Sequence, residues 1–236
     1  MRMMKKVLGM VTVLALSVSL LAGCGSTAAS PVADENEAAA AQLLNDLTGS
    51  YQELWPVILA DEYKQTWLDD CTALVGEDNA EAAFEKLSSM VTGDVYGEDA
   101  VKAYANGGGA YFCGFTNSLA ILTFDGETST ISGTDKDGNV LFSHTYHYIG
   151  MEPVRGLYEF QSDDADSGEF TYFFLAPDTS AETYHIEFRY GSDAEALSQY
   201  DTGEYAYWLA SGISTDCDQT MIDNCIELFC TENLAG

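Results

Sequence analysis

Three histidines are the residues of this chain best suited to bind a metal ion: His144, His147 and His185. His144 and His147 are three residues apart in a segment rich in strand formers, so they should face opposite sides of a sheet and cannot share one ion without a bulge. Thr183, His185 and Glu187 alternate with apolar residues, and this pattern places an imidazole and a carboxylate on one face, where both can reach a divalent cation. The same pattern is also typical of the solvated outer face of a half-buried strand, and the alternation allows both interpretations.

The motifs of the common enzyme classes are missing from the sequence. It has no Walker loop, no Rossmann glycine fingerprint, no Gly-x-Ser-x-Gly and no His-Glu-x-x-His. Residues 135–138 (Asp-Lys-Asp-Gly) look like the start of a calcium loop, but the later acidic ligand is absent, so we predict a hairpin turn. Carboxylates are so numerous that no pair stands out as a catalytic acid and nucleophile. The sequence therefore predicts a binding protein and not an enzyme.

The chain is strongly acidic. It has 9 Lys and Arg residues against 38 Asp and Glu residues, and a net charge of −29. Such a surface repels nucleic acids, which excludes them as partners, and it attracts cations without selecting among them. High charge also keeps a protein soluble, so the composition supports a role in metal attraction and a role in solubility equally.

The start of the chain has the features of a secretory signal. Residues 1–6 are basic, residues 7–20 are largely apolar, and Leu21-Ala22-Gly23-Cys24 resembles the lipobox of bacterial lipoproteins, in which the cysteine carries a lipid. We therefore predict a signal peptide over 1–23, lipid attachment at Cys24, a flexible tether over 24–34 and a location on the extracytoplasmic face of the cell membrane. The alternative is a transmembrane helix, for which the apolar run is short.

Five cysteines remain after Cys24, and an odd number leaves at least one thiol free or paired between chains: Cys71, Cys113, Cys217, Cys225 and Cys230. Three of them cluster near the C-terminus, where one disulfide is compatible with the spacing. The absence of Cys-x-x-Cys argues against a redox motif and against a thiolate zinc site.

The periodicity of the sequence predicts helices first and strands afterwards. Residues 35–106 have helical spacing, residues 110–191 have the period of strands with turn residues between them, and residues 193–230 return to helix, with Ser214 as a candidate cap. Within 110–191 the predicted strands are Ala110–Thr116, Ser118–Phe124, Leu141–Ile149, Gly156–Gln161, Phe170–Ala176 and Tyr184–Tyr190. We therefore predict a mainly β fold, in which a small closed antiparallel barrel carries flanking helices.

Several short motifs, in order along the chain, resemble those of the ZinT (YodA) family of zinc-binding proteins. The family's opening Trp-x-Gly-x-Trp-Gln-Ser-x-Tyr-Pro corresponds here to residues 47–56, where Gly49, Gln52 and Pro56 match. Its Tyr-x-Tyr-x-Gly appears at residues 146–150 and its Val-Arg-Tyr-Leu-Phe-Glu at residues 154–159. The resemblance implies that residues 35–236 form a ZinT-like domain, which is a calycin-like or lipocalin-like β-barrel preceded by a helical segment.

In that family, three histidines bind zinc at the mouth of the barrel. The resemblance places Phe173 and Thr183 at two of these positions and leaves His185 as the remaining histidine. One histidine with carboxylates is a harder ligand set, which suits calcium or manganese, or binds zinc weakly. Phe173 would also make the mouth of the barrel more apolar.

Two functions follow from these observations. The first is a lipid-anchored metal-binding protein that captures Zn²⁺ or another divalent cation at the cell surface and hands it to a metal-uptake transporter or its binding protein. Its ligands would be His185 and Glu187, with help from His147. The second is a calycin-like module without metal, which presents an apolar cavity to a small molecule or a protein partner.

Overall fold

The structure, a computed structural model, describes residues 31–105, 107–176 and 185–235, with side chains from residue 35 onward. In these residues eight strands form a closed barrel. The strands are β1 (Gly49–Glu53), β2 (Ile121–Asp125), β3 (Thr130–Thr134), β4 (Val140–Met151), β5 (Tyr158–Ser162), β6 (Tyr172–Leu175), β7 (His185–Gly191) and β8 (Ala210–Ser214).

The barrel is an up-and-down meander. Each strand pairs antiparallel with the next strand in the chain, and β1 closes the barrel by pairing with β8, where Tyr51 lies opposite Ser214. Closure leaves no sheet edge exposed, which is one way in which antiparallel sheets avoid edge-to-edge aggregation. The predicted fold class, an antiparallel barrel with flanking helices, is confirmed.

Helices flank the barrel at both ends of the chain. They are α1 (Pro31–Asp46), α2 (Leu54–Ile58), α3 (Lys64–Val75), α4 (Glu77–Val91), α5 (Glu98–Ala103), α6 (Ala194–Leu197) and α7 (Gln219–Leu234). None of these helices, within the ranges that the structure describes, has the length and apolar character needed to cross a membrane. Helix α1 begins at Pro31 and so includes the last residues of the segment 24–34 that we predicted as a tether.

The buried residues form two clusters. One fills the barrel and is rich in aromatic rings, and the other lies between the outside of the barrel and helices α2, α3, α4 and α7. Trp67 anchors the second cluster: it is fully buried, its Nε1 donates to the Ile58 carbonyl at 2.7 Å, and its ring lies 6.0 Å from that of Phe229. Helices therefore cover the outer wall of the barrel near β8 and shield it from solvent.

The predicted extent of the barrel, residues 110–191, is wrong at both ends. Strand β1 lies within the segment 35–106 predicted to be helical, and β8 lies in the C-terminal part that we predicted returns to helix. Strand β1 has five residues, of which Tyr51 alone is buried, so it is too short to show the period-two alternation of a half-buried strand. All five residues of β8 are buried, because the helices cover its outer face, and the apolar–polar alternation of an exposed strand is therefore absent.

Two further local predictions also need correction. Residues 110–116 form an irregular segment rather than a strand, with isolated bridges from Phe112 to Thr92 and Trp208. Helix α7 is capped by Asp218, whose Oδ1 accepts from the Met221 amide at 3.0 Å, and not by Ser214, which is the last residue of β8. A carboxylate at the N-cap satisfies an unpaired amide of the first turn as well as a hydroxyl does.

The contact between α3 and α7 contains an unfavourable group of carboxylates, from which a prediction follows. Burial, then the charges of Glu227 and Asp223, raise the pKa of Asp70. A carboxyl whose pKa is raised by folding contributes stability below its unfolded pKa and loses that stability as pH rises through the folded pKa. We expect Asp70→Asn to raise the free energy of unfolding at pH 7 by roughly 0.5 kcal/mol, a value reduced by solvent screening.

Urea unfolding at pH 7 and at pH 3 tests this, since the gain should shrink at the lower pH. That pH lies below the ordinary aspartate pKa of 3.8, so the Asp70 carboxyl is mostly protonated in the unfolded state and, with its pKa raised, in the folded state as well. Glu127→Gln is the control, because it removes one negative charge from an exposed turn between β2 and β3. An equal gain from Glu127→Gln would assign the effect to net charge and contradict the local explanation.

Candidate functional site

His144 and His147 lie on opposite faces of β4, as their spacing predicts. His144 shares the inner face with the buried Phe142 and Tyr146, and its Nδ1 lies 2.7 Å from Asp164 Oδ2. His147 is exposed on the outer face, and its Nδ1 lies 2.6 Å from Asp163 Oδ1. Each imidazole therefore has its own carboxylate partner, and the two rings do not form one site.

His185 and Glu187 lie on the face of β7 that points away from the barrel interior. The residues that alternate with them, Ile186 and Phe188, belong to the interior cluster. Both His185 and Glu187 line a small cavity between the barrel wall and the helices. The other residues that line it are Leu54, Trp55, Ile58, Cys225, Leu228, Phe229 and Glu232. The predicted pairing of an imidazole and a carboxylate on one face is thus present, beneath helices α2 and α7.

His147 does not join this pair. Strands β5 and β6 lie between β4 and β7 in the barrel, and His147 bonds to Asp163 on its own side. The predicted set of His185, Glu187 and His147 is therefore not brought together. The reason is topological: two residues can both point outward from a barrel while lying on different sides of it.

The thiol in the His185 cavity is poorly suited to bind a metal ion. Burial, then the nearby Cys217, Glu187 and Glu232, raise the pKa of Cys225 to about 12. Metal ligation requires the thiolate, so this sulfur binds an ion only at the cost of losing a tightly held proton. The donors left at the cavity are one imidazole and the carboxylates of Glu187 and Glu232.

These donors do not make a preformed three-ligand centre. Within residues 31–105, 107–176 and 185–235, no three His, Cys, Asp or Glu side chains are grouped so that they could hold a metal ion. The three-histidine zinc site that the family resemblance implies does not fit the described residues. Of these donors, His185 and Glu187 lie on one face of the same strand, and the cavity that they line has a volume of about 30 Å³, enough for about one water molecule.

Phe173 and Thr183 stand at the two positions where the resemblance to the ZinT family would place histidines. Phe173, on β6, is fully buried in the barrel, with its ring 5.4 Å from Tyr146 and 5.3 Å from Tyr190. We expected Phe173 to line the open mouth of the barrel, but its ring lies within a stack of aromatic rings in the interior. Thr183 lies outside the described residues.

An arginine–tyrosine–arginine stack (Arg189, Tyr200 and Arg155) was not predicted from the sequence. Arg189 is fully buried, and its guanidinium lies 4.4 Å from the centre of the Tyr200 ring, while that of Arg155 lies 4.3 Å from it. The buried Glu152 carboxylate accepts from the Arg155 amide at 2.6 Å and from the Tyr200 hydroxyl at 3.4 Å. The one available signal was a lone basic residue, Arg189, in the apolar run of β7.

A groove of about 330 Å³ lies outside the barrel, between α2, the end of α4 and the irregular segment 110–116. Its lining is mostly apolar and includes Trp55, Pro56, Leu59, Val91 and Phe112. A smaller adjacent cavity, of about 120 Å³, shares Trp55 and Val91 with it and is also lined by Glu187 and Arg155. The apolar surface that the sequence suggested inside the barrel is therefore found on its outer wall.

The fold and the site define a closed eight-stranded antiparallel barrel with a histidine–glutamate pair on its outer wall. The chain is similar to the Zn(II)-bound ZinT-like domain of Streptococcus pneumoniae AdcA, with 15% identity, a TM-score of 0.49, and coverage of 78% of this chain and 89% of that one. It is also similar to Zn(II)-bound AdcA from the same organism, with 16% identity, a TM-score of 0.44, and coverage of 79% and 35%, so it spans about a third of that protein. A scan against protein-family models and a search of curated proteins found no match.

Proposed function

We propose that this protein is a lipid-anchored, extracytoplasmic metal-binding protein that captures a divalent cation at His185 and Glu187. The observation that carries the proposal is that these two donors, two residues apart on β7, line one cavity on the outer wall of the barrel. The ZinT-like motifs of the sequence support a metal as the ligand, and the signal and lipobox at residues 1–24 support the location.

The ion that this site would take follows from its donors. Two protein ligands fill only part of the coordination sphere of a divalent cation, so we expect weaker binding than at a three-histidine site. Zn²⁺ is compatible with an imidazole and a carboxylate, and Mn²⁺ and Ca²⁺ are favoured by the oxygen donors. The acidic surface raises the local concentration of any cation without selecting among them.

In this proposal the lipid on Cys24 holds the protein at the membrane, where it captures metal and transfers it to an uptake transporter or to that transporter's binding protein. Weak binding suits a donor, since an ion that dissociates readily can be passed to a tighter site. The proposed activity is binding and transfer, and it requires no catalytic residues.

A metal titration by thermal unfolding tests the proposed site. At a hundredfold excess over the dissociation constant, a ligand that binds the folded state should add about 2.7 kcal/mol, or about 5–10 °C in Tm for a chain of this size. We expect His185→Ala to abolish the shift seen with Zn²⁺, because it removes the only imidazole at the described cavity. The matched control, His147→Ala, removes an exposed imidazole on another side of the barrel and should leave the shift unchanged.

Two outcomes would contradict the proposal. If Zn²⁺, Mn²⁺ and Ca²⁺ all leave Tm unchanged, the protein does not act by binding these ions. If the shift persists in His185→Ala, the ion binds elsewhere and the assignment of the site is wrong.

A second function, a metal-free binding module, is favoured by the apolar groove at Trp55. Its volume of about 330 Å³ is within the range of small-molecule sites. With metal removed by a chelator, an apolar fluorescent probe should bind wild-type protein and bind at least tenfold more weakly to Trp55→Ala. Equal binding to both proteins would exclude the groove as the site.

A further inference from the structure

Two cysteines far apart in the sequence meet between helices. Cys71, in the middle of α3, and Cys230, near the end of α7, are both fully buried, and their Sγ atoms lie 4.0 Å apart. This contact joins residues separated by 159 positions. The two thiols lie in the helical cluster, which covers the outer wall of the barrel, and α3 and α7 are packed against each other there.

The other thiols are placed less well for pairing. Cys225 and Cys230 are five residues apart on α7, about 140° apart around the helix axis, so they point in different directions. Cys225 lines the His185 cavity, and Cys113 lies in the irregular segment beside the Trp55 groove. Cys217 precedes α7 and is partly exposed. The C-terminal spacing suggested a disulfide among Cys217, Cys225 and Cys230, whereas the packing brings Cys230 to Cys71.

We propose that Cys71 and Cys230 form a disulfide bond in the mature protein. This inference rests on the extracytoplasmic location in the proposed function, because disulfides persist in oxidising compartments. A disulfide needs sulfur atoms about 2 Å apart, so the two side chains must approach by about 2 Å from their present contact. The bond would tie the first long helix of the helical cluster to the last helix of the chain.

The chemistry is thiol–disulfide exchange with a disulfide-containing oxidant, either a small-molecule disulfide or an oxidoreductase. One cysteine loses its proton and attacks the oxidant's disulfide, which gives a mixed disulfide and releases one oxidant thiol. The second cysteine loses its proton and displaces the second oxidant thiol, which leaves the Cys71–Cys230 bond. The two cysteines lose two electrons and two protons, and the oxidant gains both as two thiols.

The burial of both sulfurs places this reaction during folding. Burial raises the pKa of both thiols, so in the packed protein neither is readily available as the attacking thiolate. The bond should therefore form before α3 and α7 pack fully together. The folded, reduced protein should react with oxidised glutathione much more slowly than the refolding chain does.

The test begins with protein purified from the membrane fraction of cells that express the full chain. It is unfolded without reductant, its free thiols are alkylated, and its peptides are mapped by mass spectrometry. We expect one linked pair, Cys71 with Cys230, and three alkylated thiols. Before alkylation, the intact mass should be about 2 Da below that of the fully reduced chain. Reduction before the thermal scan should lower Tm by about 10 °C.

Two variants and a refolding experiment distinguish a wrong cysteine pairing from a wrong cellular compartment. Cys217→Ser should keep the bond, and Cys71→Ser should lose it. Native protein in which Cys71 and Cys230 are both alkylated, or in which Cys230 is linked to another cysteine, overturns the proposal. If Cys71 and Cys230 then link when reduced protein is refolded with oxidised glutathione, the contact between them is correct and the proposed oxidising location is wrong. The metal titration is unaffected by either result.

Discussion

Replacing Arg189 with alanine is expected to lower the free energy of unfolding by about 3–5 kcal/mol, because it removes a buried cation together with all its bonds. The Arg189 guanidinium donates to the carbonyls of Leu197, Gln199 and Tyr205, which belong to the chain that returns from β7 to β8. Alanine would leave three carbonyl acceptors without this donor and a cavity beside Tyr200. Urea unfolding followed by fluorescence measures the loss.

Arg155→Ala is the matched control, since the Arg155 guanidinium lies on the same tyrosine ring at a similar distance but is exposed to solvent. Its loss should be below about 1 kcal/mol, which is typical of an exposed cation–π contact. Similar losses from the two variants would show that the ring contact matters and the three carbonyl bonds do not. That result would contradict the role given to Arg189, which is to fix the chain between β7 and β8.

Phe173→Ala is expected to cost about 3–5 kcal/mol, because the ring fills the barrel and has no solvent exposure. The Phe173 ring lies 5.8 Å from Phe142, 5.4 Å from Tyr146 and 5.3 Å from Tyr190, so its removal leaves a cavity bounded by other rings. Each aromatic pair also contributes through its geometry. The same unfolding experiment gives the loss.

Ile149→Ala provides the comparison for Phe173, since Ile149 is a large apolar side chain on the outer face of β4 and is 41% exposed. Its truncation should change stability by about 0.5 kcal/mol or less. A loss below about 1 kcal/mol for Phe173→Ala would mean that the interior is loosely packed. It would then be a ligand cavity, as the metal-free alternative first suggested.

Phe173 and the proposed metal site differ in their position relative to the barrel wall. Aligning the motifs predicts that this phenylalanine stands where the ZinT family has a histidine, and the structure places it on the inner face of β6. His185 and Glu187 point outward from β7. The donor pair and Phe173 therefore lie on opposite sides of the barrel wall. Phe173 fills the interior and does not crowd the proposed ion.

Local patterns in the sequence located five of the eight strands, β2 and β4 to β7, and missed β1, β3 and β8. The alternation in β4 placed His144 and His147 on opposite faces, and this placement depends only on the period of a strand, whereas the structure shows that the face of His147 points outward. The same rule placed His185 and Glu187 on one face of β7. It also excluded a shared ion for His144 and His147. These outcomes follow from the backbone, since neighbouring side chains on any strand point to opposite faces.

Contacts between distant segments could be decided only by the tertiary structure. Strands β1 and β8 have too few residues or too uniform burial to show a pattern, and they became strands because each supplies the hydrogen-bonding edge that the other needs. The placement of His147 away from His185, the carbonyl partners of Arg189 and the meeting of Cys71 with Cys230 have the same origin. A short-range pattern fixes the direction of a side chain, but only packing fixes what lies opposite it.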